Sequence, residues 1–556
     1  MTQRDIDPIT LEVIWSKLQQ IPEEMGTHFQ RTAFSDIIKY AVDFSTVLTD
    51  PKGRLVSQGV YTPGHLGCML TATKKILDEY VPPEEWQEGD LLITNDPHLG
   101  AGHLPDIFTF EPIFLDDELI GFSVITANHI DVGGSAPGSI TVYAHDVYEE
   151  GIQIPPVKLY EDGELDETLL ETILENTRAP NQVRGDLRAQ RGASKVGVDQ
   201  YRELVGRYGF DTFQMYVEEI FDRSEDGLRQ SIEKLPDGSY SFEQEMDAFD
   251  GEVPVMCVEI TVDGDEITVD WSGTSDQIEG FAVNGTLNYT FAYTMYGIKS
   301  AINPDIPQTD GSLSAVTLRV PEGSILNAEH PAPVGARHIL SNHITSTMNG
   351  ALYKARPDLV PAAGSQDFNL MAKFTDPATR AQQVLFDGIY GGGGGWHDRD
   401  GAPAIAGGPN AANTPVEVIE DTYPLEFHQY QFAQDTAGAG KHRGGSGTVR
   451  EYTFTRPAQI QSHTERVERG PYGLDGGRPG TAGKQILSDE DGETELRPKE
   501  LFTVEPGDTL RTQTPGGGGY GDPTERSPER VHKDVRNGVI SERAAIDVYG
   551  VDLTDK

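Results

Sequence analysis

A multi-domain protein of mixed α and β class (α+β) is predicted by three observations. Apolar residues near the N-terminus recur at helical steps. From Asp43 onward, short apolar runs end in polar, Gly-rich turns. Beyond Pro331 the composition shifts to glycine and proline. At about 100–200 residues per domain, a chain of 556 residues has room for roughly three domains and a sizeable core. We expect an N-terminal α/β unit over 1–235, a β-rich middle unit over 236–330, a Gly-rich α+β unit over 331–526 and a C-terminal appendage over 527–556.

The elements follow in chain order. Leu11, Ile14, Leu18, Ile21 and Met25 stand three or four residues apart within 8–34, which puts them on one helix face, and Pro8 suits the first turn. DFSTVLTDPKGRLVSQ (43–58) reads as strand, Asp-Pro-Lys-Gly turn, strand. Residues 64–80 return to helical spacing, and DLLITNDP (90–97) and DELIGFSVITANHI (117–130) read as buried strands that run into polar loops. The charged stretch from Glu164 to Leu235 has few breakers and reads as helix, whereas 256–275 alternates as a hairpin around Asp263-Gly264. The glycine runs at 391–395, 438–447 and 515–523 are expected as loops and tight turns that shape subunit contacts. A short helix-and-loop segment begins at Ser527, and no internal repeat is visible.

Charge narrows the function classes. With 89 Asp+Glu against 44 Lys+Arg the net charge is −45, which excludes a basic nucleic-acid footprint and disfavours an anionic membrane surface. The basic residues comprise 28 Arg and only 16 Lys. Acid excess with scarce lysine fits a halophilic protein, because in molar salt the Debye length falls to about 3 Å and self-repulsion is screened. Hydrophobic residues make up 37 %, but the 21 Phe and 21 Tyr argue for a folded chain. No N-terminal apolar h-region and no apolar run of about 18 residues occurs, so a cytoplasmic location is expected. There the sequons at Asn284 and Asn288 carry no meaning. Cys68 and Cys257 cannot build a disulfide framework or a thiolate metal site.

Chemistry concentrates in one region. Of 14 histidines, five (His65, His98, His103, His129 and His145) lie between 65 and 145. The loops NDPHLGAGHLPD (95–106) and ANHIDVGG (127–134) also carry Asp96, Asp106 and Asp131. The spacing His103-x-x-Asp106 lets one tight loop present an imidazole and a carboxylate to a single point, which His129 could reach from a neighbouring strand end. Such ligands without thiolate suit Zn²⁺, Mn²⁺ or Fe²⁺, and the ion would lower the pKa of bound water. The competing reading is that loop His and Asp residues cap turns, as is expected for Asp96. A phosphate loop is absent: Asp435-Thr-Ala-Gly-Ala-Gly-Lys441-His442 has Asp for the first glycine and His for the hydroxyl. ATP is therefore not expected on this chain. No GxSxG nucleophile elbow occurs, and the acidic runs read as solvated surface.

Several segments together carry a resemblance. DPITLEVIWSKL, AFSDIIKYAVDFSTVLTDPKGRLVSQ, HLGCM, NDPHLGAGHLPDI and NHIDVGG resemble the B subunit of the hydantoinase/oxoprolinase family. So do ENTRAPNQVRGDLRAQ (175–190), DWSGTS (270–275), NPDIP (303–307), DTAGAGKHRGGSG (435–447) and TPGGGGYGDPTERSPERVHKDVRNGVIS (514–541), so the likeness spans nearly the whole chain. The family includes N-methylhydantoinases, 5-oxoprolinases, caprolactam-opening enzymes and acetone and acetophenone carboxylases. The resemblance implies a hetero-oligomer with a nucleotide-binding A subunit that uses ATP to phosphorylate a cyclic amide. The B subunit would then complete hydrolysis with a divalent metal. Matching motifs imply Asp43, His103, Asp106 and His129 as ligands, with His98 and Asp131 as proton-transfer candidates. Relatives often have two histidines where this chain has Asn128-His129, and if the first is the ligand the His129 assignment fails. Ketone carboxylase subunit and non-catalytic scaffold remain the alternative readings.

Overall fold

The computed structural model of the chain describes residues 6–366, 368–408 and 411–553. Helix α1 (Pro8–Thr32) begins where the Asp7 carboxylate accepts from the Thr10 amide, with Pro8 in the first turn. Its buried face is Leu11, Ile14, Leu18, Ile21, Met25 and Phe29, and each such side chain contributes about 1.5–3 kcal/mol on burial. A short α2 (Asp36–Lys39) leads into the hairpin β1 (Phe44–Thr49) and β2 (Leu55–Gln58), and α3 (Pro63–Lys75) runs on into a π turn over Ile76–Tyr80.

Strands β3 (Leu91–Thr94), β4 (Asp106–Leu115), β5 (Glu118–Asn128), β6 (Val157–Glu161) and β7 (Glu164–Leu165) complete a seven-stranded sheet of order β2-β1-β5-β4-β3-β6-β7. Ten-residue β4 was not among the expected strands. Its residues from Asp106 to Ile113 are all buried, so it lacks the in–out alternation that betrays a half-exposed strand. The charged segment forms α4 (Glu167–Glu175), α5 (Pro180–Tyr208) and α6 (Phe210–Ile232). The inner faces of α1, α5 and α6 share one core with the sheet.

The middle sheet, order β11-β10-β9-β8, consists of β8 (Gly238–Glu245), β9 (Val255–Asp263), β10 (Glu266–Asp270) and β11 (Val316–Arg319). The β9–β10 hairpin turns at Gly264-Asp265, one residue beyond the expected Asp263-Gly264, with Asp263 paired to Glu266. Helices α7 (Leu287–Ile302) and α8 (His338–Ala355) cover this sheet, so its packing continues past residue 330.

Two further sheets stand in the C-terminal half. One joins β12 (Phe368–Thr375), β13 (Gln382–Ile389), β16 (Ala458–His463) and β19 (Leu501–Val504). The other joins β14 (Leu425–Phe432), which follows α9 (Val416–Thr422), with β15 (Thr448–Phe454), β17 (Lys484–Asp489), β18 (Gly492–Glu495) and β20 (Thr509–Gln513). Their inner faces share Leu370, Phe374, Tyr452, Ile460 and Leu510.

The glycine runs are loops, as expected, and they pack backbone against backbone in the interior. The Gly445 amide donates to Gly393 O at 2.8 Å and the Gly517 amide to Gly445 O at 3.0 Å. A Cβ at Gly517 would stand 1.9 Å from Gly393 O, and one at Gly392 2.0 Å from Gly445 O. Only glycine permits such an approach. The appendage, α10 (Pro528–Arg536) and α11 (Glu542–Asp547), is tied down by buried Arg526, which pairs with Asp400 and Asp534 at 2.7 Å each. No helix among the described residues is long and apolar enough to cross a membrane.

Candidate functional site

Strand order explains the convergence of the site. β5 lies between β1 and β4, with Phe44 opposite Ala127 and Asp106 opposite Asn128. Asp43, at the end of β1, Asn128 and Asp106 therefore stand side by side at one edge of the sheet. Asn128 Nδ2 donates to Asp43 Oδ2 at 3.1 Å, and the Thr62 hydroxyl to Asp43 Oδ1 at 3.2 Å. Preceding Asp43 is Val42 at φ 60°. A β-branched residue there costs about 1–3 kcal/mol and marks a place where the surrounding structure imposes the backbone.

Two imidazoles reach the same point. His65, in the first turn of α3, brings Nε2 to 3.4 Å from Asp106 Oδ1 and 3.8 Å from Asp43 Oδ1. His103 brings Nε2 to 3.0 Å from Asp106 Oδ1, while its Nδ1 bonds Gly335 O at 3.1 Å. Such a second contact fixes the tautomer and the ring direction. Across the cleft, Arg337 makes a close ion pair with Asp106 Oδ2, and its guanidinium lies over the Tyr289 ring at 4.1 Å. Gly102 is required beneath it, since a Cβ there would meet Arg337 Cδ at 2.8 Å. Burial alone would raise the Asp106 pKa, but His103, His65 and Arg337 outweigh it and hold the carboxyl well below its ordinary value.

The residues enclose a cavity of ≈ 60 Å³ lined by Asp43, His65, His103, Asn128, Arg337 and His338, among others. One water needs about 10–15 Å³ of such space, so a hydrated ion would fit. Among the described residues no group of three or more His, Cys, Asp or Glu side chains is placed to hold a metal ion. The donor chemistry nonetheless fits a cation. Three neighbouring pairs stand 3.0, 3.4 and 3.8 Å apart, a spacing that bonds of about 2.0–2.2 Å to a shared ion would allow. Buried His103 Nε2 and Asp106 Oδ1 have no hydrogen-bond partner despite their closeness.

Of the residues singled out in the sequence, Asp43, His103 and Asp106 come together. His129 does not join them. Strand alternation turns it to the opposite face from Asn128, where Nε2 lies 3.3 Å from Gln190 Oε1 of α5. Asp131 is also elsewhere: its carboxylate accepts from the amides of Gly133 and Arg178 and pairs with the Arg178 guanidinium at 2.8 Å, so it organises a turn. His98 sits outside the cavity, its ring 6.0 Å from that of His330, and burial lowers its pKa. Asp96 accepts from the amides of His98 and Leu99, the expected turn cap. Sequence reasoning counted His65 without assigning it a role and passed over Arg337, His338 and His463. Arg337 and His338 carry no local signature and lie about 230 positions from Asp106.

A family model described as hydantoinase B/oxoprolinase matches residues 7–523. A Pseudomonas sp. (strain NS671) protein, provisionally named as the B subunit of a D-/L-hydantoinase, is 34% identical over 99% of this chain and 96% of its own length. The crystal structure of the ATP-dependent caprolactamase from Pseudomonas jessenii superposes with a TM-score of 0.92 at 29% identity, covering 100% of this chain and 98% of the other. A nucleotide-free acetone carboxylase chain gives a TM-score of 0.89 at 19% identity over 98% and 80% of the two chains, which is a likeness of fold.

Proposed function

The chain belongs to the hydantoinase B/oxoprolinase family, and from that premise we propose that it is the hydrolytic B subunit of an ATP-dependent cyclic-amide hydrolase. Its substrate class is hydantoins, 5-oxoproline and related lactams, and its partner is an A-type subunit that uses ATP to phosphorylate the amide oxygen. The observation that carries the hydrolytic role is the meeting of Asp43, His65, His103 and Asp106 at the strand edge, with buried donor atoms left unpaired. The substrate class is supported by the full-length likeness to the caprolactamase.

An amide carbonyl is a poor electrophile and its oxygen a poor leaving group, and phosphorylation of that oxygen would remove both obstacles. A divalent cation (Zn²⁺, Mn²⁺ or Fe²⁺), held by Asp43, His65, His103 and Asp106, would supply Lewis acidity for ionising the attacking water. This chain's own residues do the rest. His103 is aimed by its bond to Gly335 O. Arg337, always protonated and braced on Tyr289, offers a guanidinium to the phosphoryl group. The aromatic rings of Tyr289 and Tyr293 line the cavity and limit the water that reaches it.

The test is to assemble the chain with its A-type partner and measure ring opening of hydantoin, 5-oxoproline and caprolactam. We expect ATP-dependent formation of the open amino acid for at least one ring, lost in His103→Ala. Absence of opening for every ring would sink the proposal, and bicarbonate-dependent consumption of a ketone would make the chain a carboxylase subunit.

A further inference from the structure

His338 is the first residue of the 18-residue helix α8 and lines the cavity beside His103 and Arg337. His463, at the end of β16, stands opposite Asn369 of β12, another cavity-lining residue. The two imidazoles stack with centroids 5.1 Å apart and planes inclined by 26°, and His463 Nδ1 lies 3.3 Å from His338 Nε2. The other nitrogen of His463, Nε2, is buried with no hydrogen-bond partner.

Burial favours the neutral form of both rings. Burial pushes His463 down to about 3, with Lys499 adding to the effect. Burial, His463, His103 and Arg337 hold His338 well below the usual imidazole value, and the N-terminal end of α8 acts in the same direction. Two neutral imidazoles facing each other share one proton, and the unpartnered atom decides on which ring it resides. If His338 Nε2–H were the donor, His463 would carry its own proton on Nε2, a buried N–H with no acceptor. If His463 Nδ1–H is the donor, Nε2 keeps only a lone pair, and an unpaired acceptor is the more tolerated of the two. The second arrangement places the single proton of His338 on Nδ1.

We infer that His338 is a hydrogen-bond donor to substrate through Nδ1–H, locked in that tautomer by His463 as a positioning residue. The recipient is the oxygen that joins the ring carbon to the phosphoryl group, which gains charge as the C–O bond breaks and phosphate leaves, so this role rests on the ring-opening reading above. A neutral donor steadies charge that develops on that oxygen without surrendering its proton, as preorganised donors do.

Two measurements test it. In the assembled complex with lactam and ATP, His338→Ala should lower kcat by about 10²-fold. His338→Asn, whose side-chain amide replaces Nδ1–H, should stay within about tenfold of wild type, whereas His338→Gln, which mimics Nε2, should behave like alanine. Bound metal should be unchanged in all three. ¹⁵N spectra of the histidine-labelled chain should show His338 protonated at Nδ1 and bare at Nε2, a signature kept in His463→Asn and lost in His463→Leu. Wild-type kcat in His338→Ala, asparagine no better than glutamine, or a proton on Nε2 would each overturn the inference. If the wild-type complex opens no ring, the functional reading falls, and the spectrum still decides the tautomer.

Discussion

Replacing Arg337 by methionine keeps the side-chain stem and removes the guanidinium that faces Asp106. Both groups are buried, with the Asp106 side chain 0% and that of Arg337 6% exposed. Breaking such a pair costs about 3–5 kcal/mol, because a carboxylate is left in the interior. His103 and His65 remain at 3.0 and 3.4 Å to share the charge, so we expect the lower end, about 3 kcal/mol, in metal-free protein. The same change removes a positive charge from beside the proposed cation site. It should therefore tighten Zn²⁺ or Mn²⁺ binding at least about tenfold, worth about 1.4 kcal/mol. Binding to the folded state adds stability by mass action, so saturating metal should narrow the gap from about 3 to below about 2 kcal/mol. Unfolding with EDTA and with excess metal, together with calorimetric metal titration, measures both quantities. Equal stability of variant and wild type in EDTA, or a gap that metal leaves unchanged, would refute the reasoning.

The other predictions concern the scaffold. Gly517→Ala puts a Cβ 1.9 Å from Gly393 O, against backbone that cannot yield, and should cost about 3 kcal/mol or more in unfolding experiments. A neutral result would show that the glycine stack can relax. Burial raises the Glu150 pKa to about 8, although its Oε1 accepts from the amides of Val334 and Gly335 at 2.8 and 2.6 Å. Because the folded value is the higher one, the contribution of Glu150 is fully present below the ordinary value of 4.5 and lost as pH rises through about 8. Glu150→Gln should therefore gain stability relative to wild type between pH 6 and pH 9, and a pH-independent difference would contradict this. The net charge of −45 should make the chain lose its fold on dialysis from molar salt to about 0.1 M, where the Debye length grows to about 10 Å. Unchanged circular dichroism after dialysis would refute the salt-adaptation proposal.

Which parts of this fold were legible follows from side-chain periodicity. α1 was readable because Leu11 to Met25 mark one face, and the hairpins because Asp-Pro-Lys-Gly and Asp-Gly have turn chemistry of their own. β4 was not, since burial on both faces erases alternation. The glycine stack left no pattern because its contacts are made by backbone alone. At the site, the loop 95–106 announced His103 and Asp106 by their spacing. Choosing between Asn128 and His129 needed the register that sets Asp106 opposite Asn128, and a shift of one residue reverses the choice. Arg337, His338 and His463 arrive from distant elements, and only the packing of α8 and β16 around the sheet edge brings them in.

The most direct test of the account is elemental analysis of the chain purified in high salt, with Asp43→Asn, His65→Ala, His103→Ala, Asp106→Ala and His129→Ala beside wild type. The account predicts about one Zn, Mn or Fe per wild-type chain, loss of the metal in the first four variants and retention in His129→Ala. A folded wild type without metal, or loss in His129→Ala with retention in His65→Ala, would contradict it.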